Sequence, residues 1–156
     1  QKLTPGNDSK FASWGGSSGE DDEQFGPDSF IFKMTSVAFF IGVGENGRPA
    51  LFRRFNEAAP EELVENVESM QVLYGVDTDA DGDANQYLPA DDVEDFDTVL
   101  SVRVSLLLSG PDQVAPQTDT NAYDLSGADV TPAADNRLRR RFTMVVRLRN
   151  RGLQQT

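Results

Sequence analysis

Three stretches of the chain alternate between apolar and polar side chains. From Glu68 the apolar residues fall at Met70, Val72 and Tyr74, and from Leu100 they fall at Val102, Val104, Leu106 and Leu108. A period of two sends successive side chains to opposite faces, so each run reads as a strand with one face for a core. Near the end of the chain Phe142, Met144, Val146 and Leu148 alternate with Arg141, Thr143, Arg147 and Arg149. This predicts a strand opening near Arg137, with its apolar side on the core and its arginines toward water or an acidic neighbour.

Earlier in the chain, Phe30–Met34 and Val37–Val43 are β-rich runs, the second followed by GENGRP and then ALFRRF. The Asn46-Gly47 pair suits a left-handed turn, so an antiparallel hairpin is predicted, with Pro49 tolerated near the start of its returning strand. From Asn56 to Asn66 the period changes. Pro60, then Glu61 and Glu62, then Leu63, Val64 and Val67 predict one or two helical turns. Residues 109–136 hold three Pro, two Gly and scattered Asp, which predicts a long loop with one short strand at Tyr123–Leu125. Residues 1–28 are rich in Gly, Ser, Asp and Glu around Phe11, Trp14 and Phe25, and predict an irregular arm.

Between the first two alternating runs lies VDTDADGDANQY. Asp77, Asp79, Asp81 and Asp83 stand at alternate positions with Gly82 among them, a spacing that turns several carboxylates toward one point if the backbone curls. In a twelve-residue calcium loop these would be positions one, three, five and seven, with Gly82 at six and Asn85 at nine. The register departs at its end, where Leu88 stands in place of a bidentate Glu and Asp91 or Asp92 would have to close the shell. Calcium is the candidate ligand, and a solvated Asx-rich turn is the bland alternative. From Asp77 to Asp97 there are nine carboxylates and no Lys or Arg, a local charge of −9.

Charge narrows the partners. The net charge of −12 and pI near 4.3 oppose binding to nucleic acid or to an anionic membrane. Seven of the fourteen cations lie in the last twenty residues, so a basic segment sits on an acidic body. Arg139, Arg141, Arg147 and Arg149 are therefore the candidate partner-binding face, set against the plain reading of arginines that keep an outer strand soluble. The chain has no His and no Cys, which removes the commonest general base, the cysteine nucleophile and thiolate metal sites. A carboxylate glycosidase would need two facing acids about 5 to 9.5 Å apart in an aromatic cleft, and the single Trp lies in the arm. No catalytic residue is assigned and no cofactor is required. No apolar run reaches the roughly 18 residues that span a bilayer.

Three segments, LVENVESMQVLYGVDTDADGDANQY, DFDTVLSVRVSLLL and LRRRFTMVVRLRNR at 138–151, in that order, resemble the PilW family of minor pilins of type IV pilus assembly, relatives of the J-type minor pseudopilins of type II secretion. The resemblance covers residues 29–151 and departs at the front. Pilins begin with a long apolar helix, whereas this chain begins QKLTPGND, which predicts a form with that helix removed, or a fragment.

Runs of strands outnumber the single helical stretch, which predicts an α+β fold with an antiparallel sheet of about five to seven strands and little helix; the resemblance implies that this domain is pilin-like. It also implies a sheet face left partly uncovered where the family's N-terminal helix packs, unless residues 1–28 cover it. The expected organisation is an arm at 1–28, a domain at 29–151 and a tail at 152–156. The implied function is a non-enzymatic minor pilin that helps prime pilus assembly at or near the tip, with adhesion and twitching motility as its setting. Its implied partners are other minor pilins, the major pilin and a large tip adhesin. Its implied location is the inner membrane and periplasm, anchored by the helix, and then the extracellular pilus. The alternative is a J-type pseudopilin of a type II secretion system.

Overall fold

The structure is a computed structural model that describes residues 33–149. The expected arm and tail lie outside the described residues, as does most of the run at Phe30–Met34, of which Lys33 and Met34 are outside any strand. The unit that begins at Thr35 is built of antiparallel strands. Strands β1 (Val37–Val43), β2 (Pro49–Phe55) and β3 (Glu61–Glu65) form one sheet in that order. Strands β4 (Val67–Val76), β5 (Gln86–Leu88), β6 (Val99–Ser109) and β9 (Arg139–Arg147) form a second in the order β5-β4-β6-β9. A hairpin of β7 (Tyr123–Leu125) and β8 (Ala128–Val130) completes the set. The only helical turns among the described residues are 3-10 turns at Ala90–Asp92 and Phe96–Thr98, so of the expected α+β architecture the β part is what these residues show. One sheet becomes two sheets and a hairpin.

The predicted hairpin is present. Val37 pairs with Phe55 and Val43 with Pro49, and the connection closes through Gly47 N–H to Gly44 O at 2.9 Å and Gly44 N–H to Arg48 O at 2.7 Å. Of the Asn-Gly pair only Gly47 takes a positive φ (74°), while the Asn46 side chain accepts the Arg48 N–H at 2.9 Å. This is a turn followed by a left-handed glycine, the usual form of a three-residue hairpin loop.

The helix expected between Asn56 and Asn66 is a strand. Five residues cannot offset the cost of nucleating a helix alone, whereas β2 offers a ready ladder at Leu51–Val64 and Arg53–Glu61. Side chains reinforce it: Arg53 donates to Glu61 at 2.7 Å, and Glu62 accepts the Glu45 N–H at 2.9 Å. Asn66 (φ 59°) then takes the chain straight from β3 into β4, and so from one sheet into the other. Asn tolerates this left-handed conformation better than most residues. Its backbone oxygen accepts the Ser109 N–H at 2.9 Å, and its side chain accepts from Arg48 at 3.2 Å.

Register in the second sheet fixes its two faces. Tyr74 pairs with Val102, Val72 with Val104 and Met70 with Leu106; these in turn pair with Val146, Met144 and Phe142. One face is thus apolar across three strands. The other carries Ser69, Gln71, Leu73 and Gly75, then Ser101, Arg103, Ser105 and Leu107, then Arg141, Thr143, Val145 and Arg147.

Here the sequence-based face assignment is corrected. The mixed face is the covered one: Leu73, Ser101, Ser105 and Leu107 are buried, and the β7–β8 hairpin lies over Ser105 through the Ser126 hydroxyl at 2.6 Å with Leu125 buried beside it. Across the strands Ser105 also bonds Thr143 at 3.0 Å. Phe142, Met144 and Val146 are 60%, 58% and 50% exposed, and Met70, Val72, Val102, Val104 and Leu106 are half-buried. Alternation shows which residues share a face but not which face is covered. Only Leu148 of the predicted set reaches a core, packing on Val76, Val93 and Val99 with Tyr74 and Leu88.

Candidate functional site

The acidic loop leaves β4 at Val76 and enters β5 at Gln86. Its neck is tied by Asp77 N–H to Thr98 O at 3.0 Å, Asn85 N–H to Val76 O at 2.9 Å, and Thr78 N–H to the Asn85 side chain at 2.9 Å. Within the loop Asp77 is the hub: one carboxylate oxygen accepts the N–H of Asp79 (3.3 Å) and Ala80 (2.7 Å), the other that of Gly82 (2.9 Å). Positive φ at Ala80 (60°) and Gly82 (91°) curls the backbone around it. These N–H groups, Gly82 foremost, hold the Asp77 pKa below the ordinary carboxylate range despite partial burial.

Ligand oxygens of Asp77, Asp79 and Asp81 all lie within 4.8 Å of one another. The other two candidates are turned elsewhere. Asp83 faces the Arg147 guanidinium at 3.7 Å, and Asn85 is engaged by Thr78. Leu88, at the position of the missing Glu, sits in β5 against Tyr74, and neither Asp91 nor Asp92 joins the group. Three carboxylates at this separation can hold a hard cation that takes its remaining ligands from backbone carbonyls and water. Although no cation is near in sequence, Arg147 is brought to the loop across 65 positions, donating to Gly82 O at 2.7 Å.

The four candidate arginines fare differently. Arg141 donates to Asp124 O at 2.9 Å, Arg147 lies on the loop, and Arg149 is exposed. Arg139 has no exposed side-chain surface. It grips Glu68 through Nε (2.7 Å) and Nη2 (3.1 Å), Asp119 (3.2 Å) and Asp135 (2.9 Å), and donates to Ala133 O (3.1 Å). Its bonds to Glu68 above all hold its proton more tightly than usual. Asp119 also accepts the Tyr123 hydroxyl at 2.6 Å and the Asn121 N–H at 3.0 Å, and its pKa falls to about 2, Tyr123 being the largest cause. The Tyr123 pKa rises for the same reason. At Asp135 burial works against ionisation, but the Arg137 N–H and the Arg139 guanidinium outweigh it and its pKa is lowered.

None of Glu68, Asp119, Tyr123 and Asp135 takes a site role from sequence: Glu68 reads as a solvated carboxylate ahead of an alternating run, where the structure pairs it with Arg139 at 15% side-chain exposure, and Tyr123 reads only as the start of a short strand. Their separations from Arg139 are 71, 20, 16 and 4 positions, and only the last is a local signal. The cluster ties the long loop to β4 and β9 and is structural in chemistry. Nearby, Ser105, Asp124, Leu125, Ser126, Arg141 and Thr143 line a shallow depression of about 410 Å³. On the same face the Tyr87 hydroxyl meets Ser101 at 3.2 Å under the Arg103 guanidinium, an approach that needs glycine at 75 because a Cβ there would run into the Ser101 hydroxyl.

An antiparallel double-sheet domain whose designed features are a charged loop, a buried ion cluster and an open apolar sheet face has the character of an assembly component. Comparison with known families agrees: a family model, PilW, Type IV Pilus-assembly protein W, matches residues 38–150. The chain belongs to the PilW family and is involved in type IV pilus assembly. This is a family of assembly components and not a known enzyme family. No curated protein and no solved structure matches the chain. Among the described residues no helix is long and apolar enough to cross a membrane.

Proposed function

We propose that this protein is a minor pilin: a non-enzymatic subunit that helps prime the type IV pilus and sits at or near its tip with other minor pilins, the major pilin and a large adhesin. The observation that carries this reading is the apolar face of β4, β6 and β9, open at Phe142, Met144 and Val146. An apolar helix laid on such a face would bury it, and so would match the filament helix implied for the family. Anchored by that helix, the protein would reside in the inner membrane and periplasm before passing into the extracellular pilus. Calcium at Asp77, Asp79 and Asp81 is part of the proposal, with a stabilising and not a catalytic role.

The test is the double substitution Phe142→Asp, Met144→Asp in the chromosomal gene. Because both side chains are more than half exposed, the isolated domain should fold, while surface pili counted by electron microscopy should fall sharply. Normal piliation with stable double-mutant protein would count against the reading. The alternative, a J-type pseudopilin, predicts that type II secretion is lost and piliation is intact.

A further inference from the structure

We infer that the free edge of β9 is a docking strand, to which a neighbouring subunit adds an extended segment of alternating apolar and acidic residues. The inference rests on the hetero-assembly reading above and names the contact. β9 closes one side of the four-stranded sheet, and among the described residues nothing pairs beyond it. Leu148 N–H donates to Leu100 O and Gly110 N–H to Leu138 O, both at 2.8 Å, so the even-numbered residues of this segment bond inward to β6. By the alternation of an antiparallel ladder, the backbone groups of Arg141, Thr143, Val145 and Arg147 point outward.

Proteins ordinarily blunt such an edge with a proline, a bulge, a short strand or charges standing along it. β9 has no proline, no bulge and nine residues, and its charges are the arginines at 139, 140, 141 and 147. Its nine pairs with β6 run without a register shift and without proline, whereas the opposite edge of the sheet is the three-residue β5. The odd-numbered arginines lean inward over the sheet, Arg139 to Glu68 on β4, Arg141 to Asp124 on β7 and Arg147 to Gly82 on the acidic loop, so they leave the outward backbone groups open, while Arg147 keeps 64% of its side-chain surface exposed. Every residue from Arg140 to Arg147 is exposed.

Side chains specify the occupant. On one face the edge presents Phe142, Met144 and Val146 beside Arg140, so the incoming strand needs apolar residues there and an acid opposite the arginine. On the other it presents Arg141, Thr143, Val145 and Arg147, of which the two arginines call for acids. A second copy of β9 fits poorly. Paired antiparallel about Thr143 it would set Arg139 against Arg147 twice and bring eight arginines into one ladder. The segment fits a partner adding a strand by main-chain bonds, with pockets reading alternate side chains.

Val145→Pro tests this. The substitution removes an outward N–H and spares the bonds to β6, a position where an edge strand tolerates proline; Val145→Thr is the control, and both should melt near wild type. The first probe is a synthetic peptide of about ten residues alternating Val and Glu, with a Val-Lys version as comparison. Hydrogen exchange should show the amides of Arg141, Thr143, Val145 and Arg147 fast in the free domain and protected by the Val-Glu peptide. Binding should drop about tenfold or more with Val145→Pro, and with the Val-Lys peptide. Equal binding by Val145→Pro, or protection elsewhere, overturns the inference. The second arm is co-purification of the full-length protein with the other pilus-assembly subunits. A wild-type complex that survives Val145→Pro overturns the edge contact and leaves the proposed function standing; no wild-type complex sinks the proposed function, and the peptide arm still decides the edge.

Discussion

Replacing Arg139 by Ala should be the most damaging single change on β9. The guanidinium has no exposed surface, and it neutralises three carboxylates whose side chains are only 10–22% exposed. Its removal leaves Glu68 and Asp119 without their guanidinium, leaves Asp135 with the Arg137 pair at 3.2 Å alone, and takes a donor from Ala133 O. Breaking a buried ion pair from one side costs roughly 3–5 kcal/mol, because the remaining charge is uncompensated. For a domain of this size each kcal/mol moves the melting point by about 4 °C, so a fall of roughly 12–20 °C is expected in circular dichroism melts at neutral pH. Arg139→Lys should recover only part of it, since an ammonium keeps the charge but cannot reproduce the two-pronged grip on Glu68. Arg149→Ala, at an exposed position, should fall within about 0.5 kcal/mol of wild type. An Arg139→Ala protein that melts within about 2 °C of wild type would refute the reasoning and return the arginine to the class of solvated charges.

Three further outcomes are expected. Tyr123→Phe removes the strongest bond to the Asp119 carboxylate and should raise its pKa from about 2; because a depressed carboxylate contributes stability above its unfolded value that is lost as pH falls through its folded one, the wild-type contribution fades between about pH 4 and pH 2, and in the variant it should fade nearer pH 4, as read by carboxyl NMR titration and acid melts. Val146→Asp, which the alternating pattern alone would have made an unfolding substitution, should leave the isolated domain folded, with a melting point within a few degrees of wild type, because the side chain is 50% exposed. Calcium at ten times its dissociation constant should add about 1.4 kcal/mol, an increment that Asp79→Asn with Asp81→Asn abolishes; millimolar calcium with no heat and no shift in melting point would leave the loop a solvated turn.

Local periodicity revealed much of this fold. The β1–β2 hairpin, the β4 and β6 runs, the short strand at Tyr123 and the closing strand β9 all carry alternation or turn chemistry that a sequence displays. What it did not display depended on distant partners. Glu61–Glu65 reads as a helix start until β2 supplies a ladder, and β8 is apparent only once β7 is in place to pair with it. The sign of the β9 face was lost because Phe142, Met144 and Val146 look like core in any sequence, and nothing local says that the β7–β8 hairpin covers the other side. At the candidate site the carboxylates of Asp77, Asp79 and Asp81 come together as their spacing implies. Arg147 beside Asp83 and the Glu68–Arg139–Asp119 cluster join elements dozens of residues apart, beyond any local pattern.

The measurement closest to the central claim is cross-linking of the protein in piliated cells, followed by mass spectrometry of what it captures. The account predicts other minor pilins and a large tip protein, with cross-links that converge on residues 139–149. Capture of secretion pseudopilins in their place, or of nothing but further copies of the same chain, would contradict it.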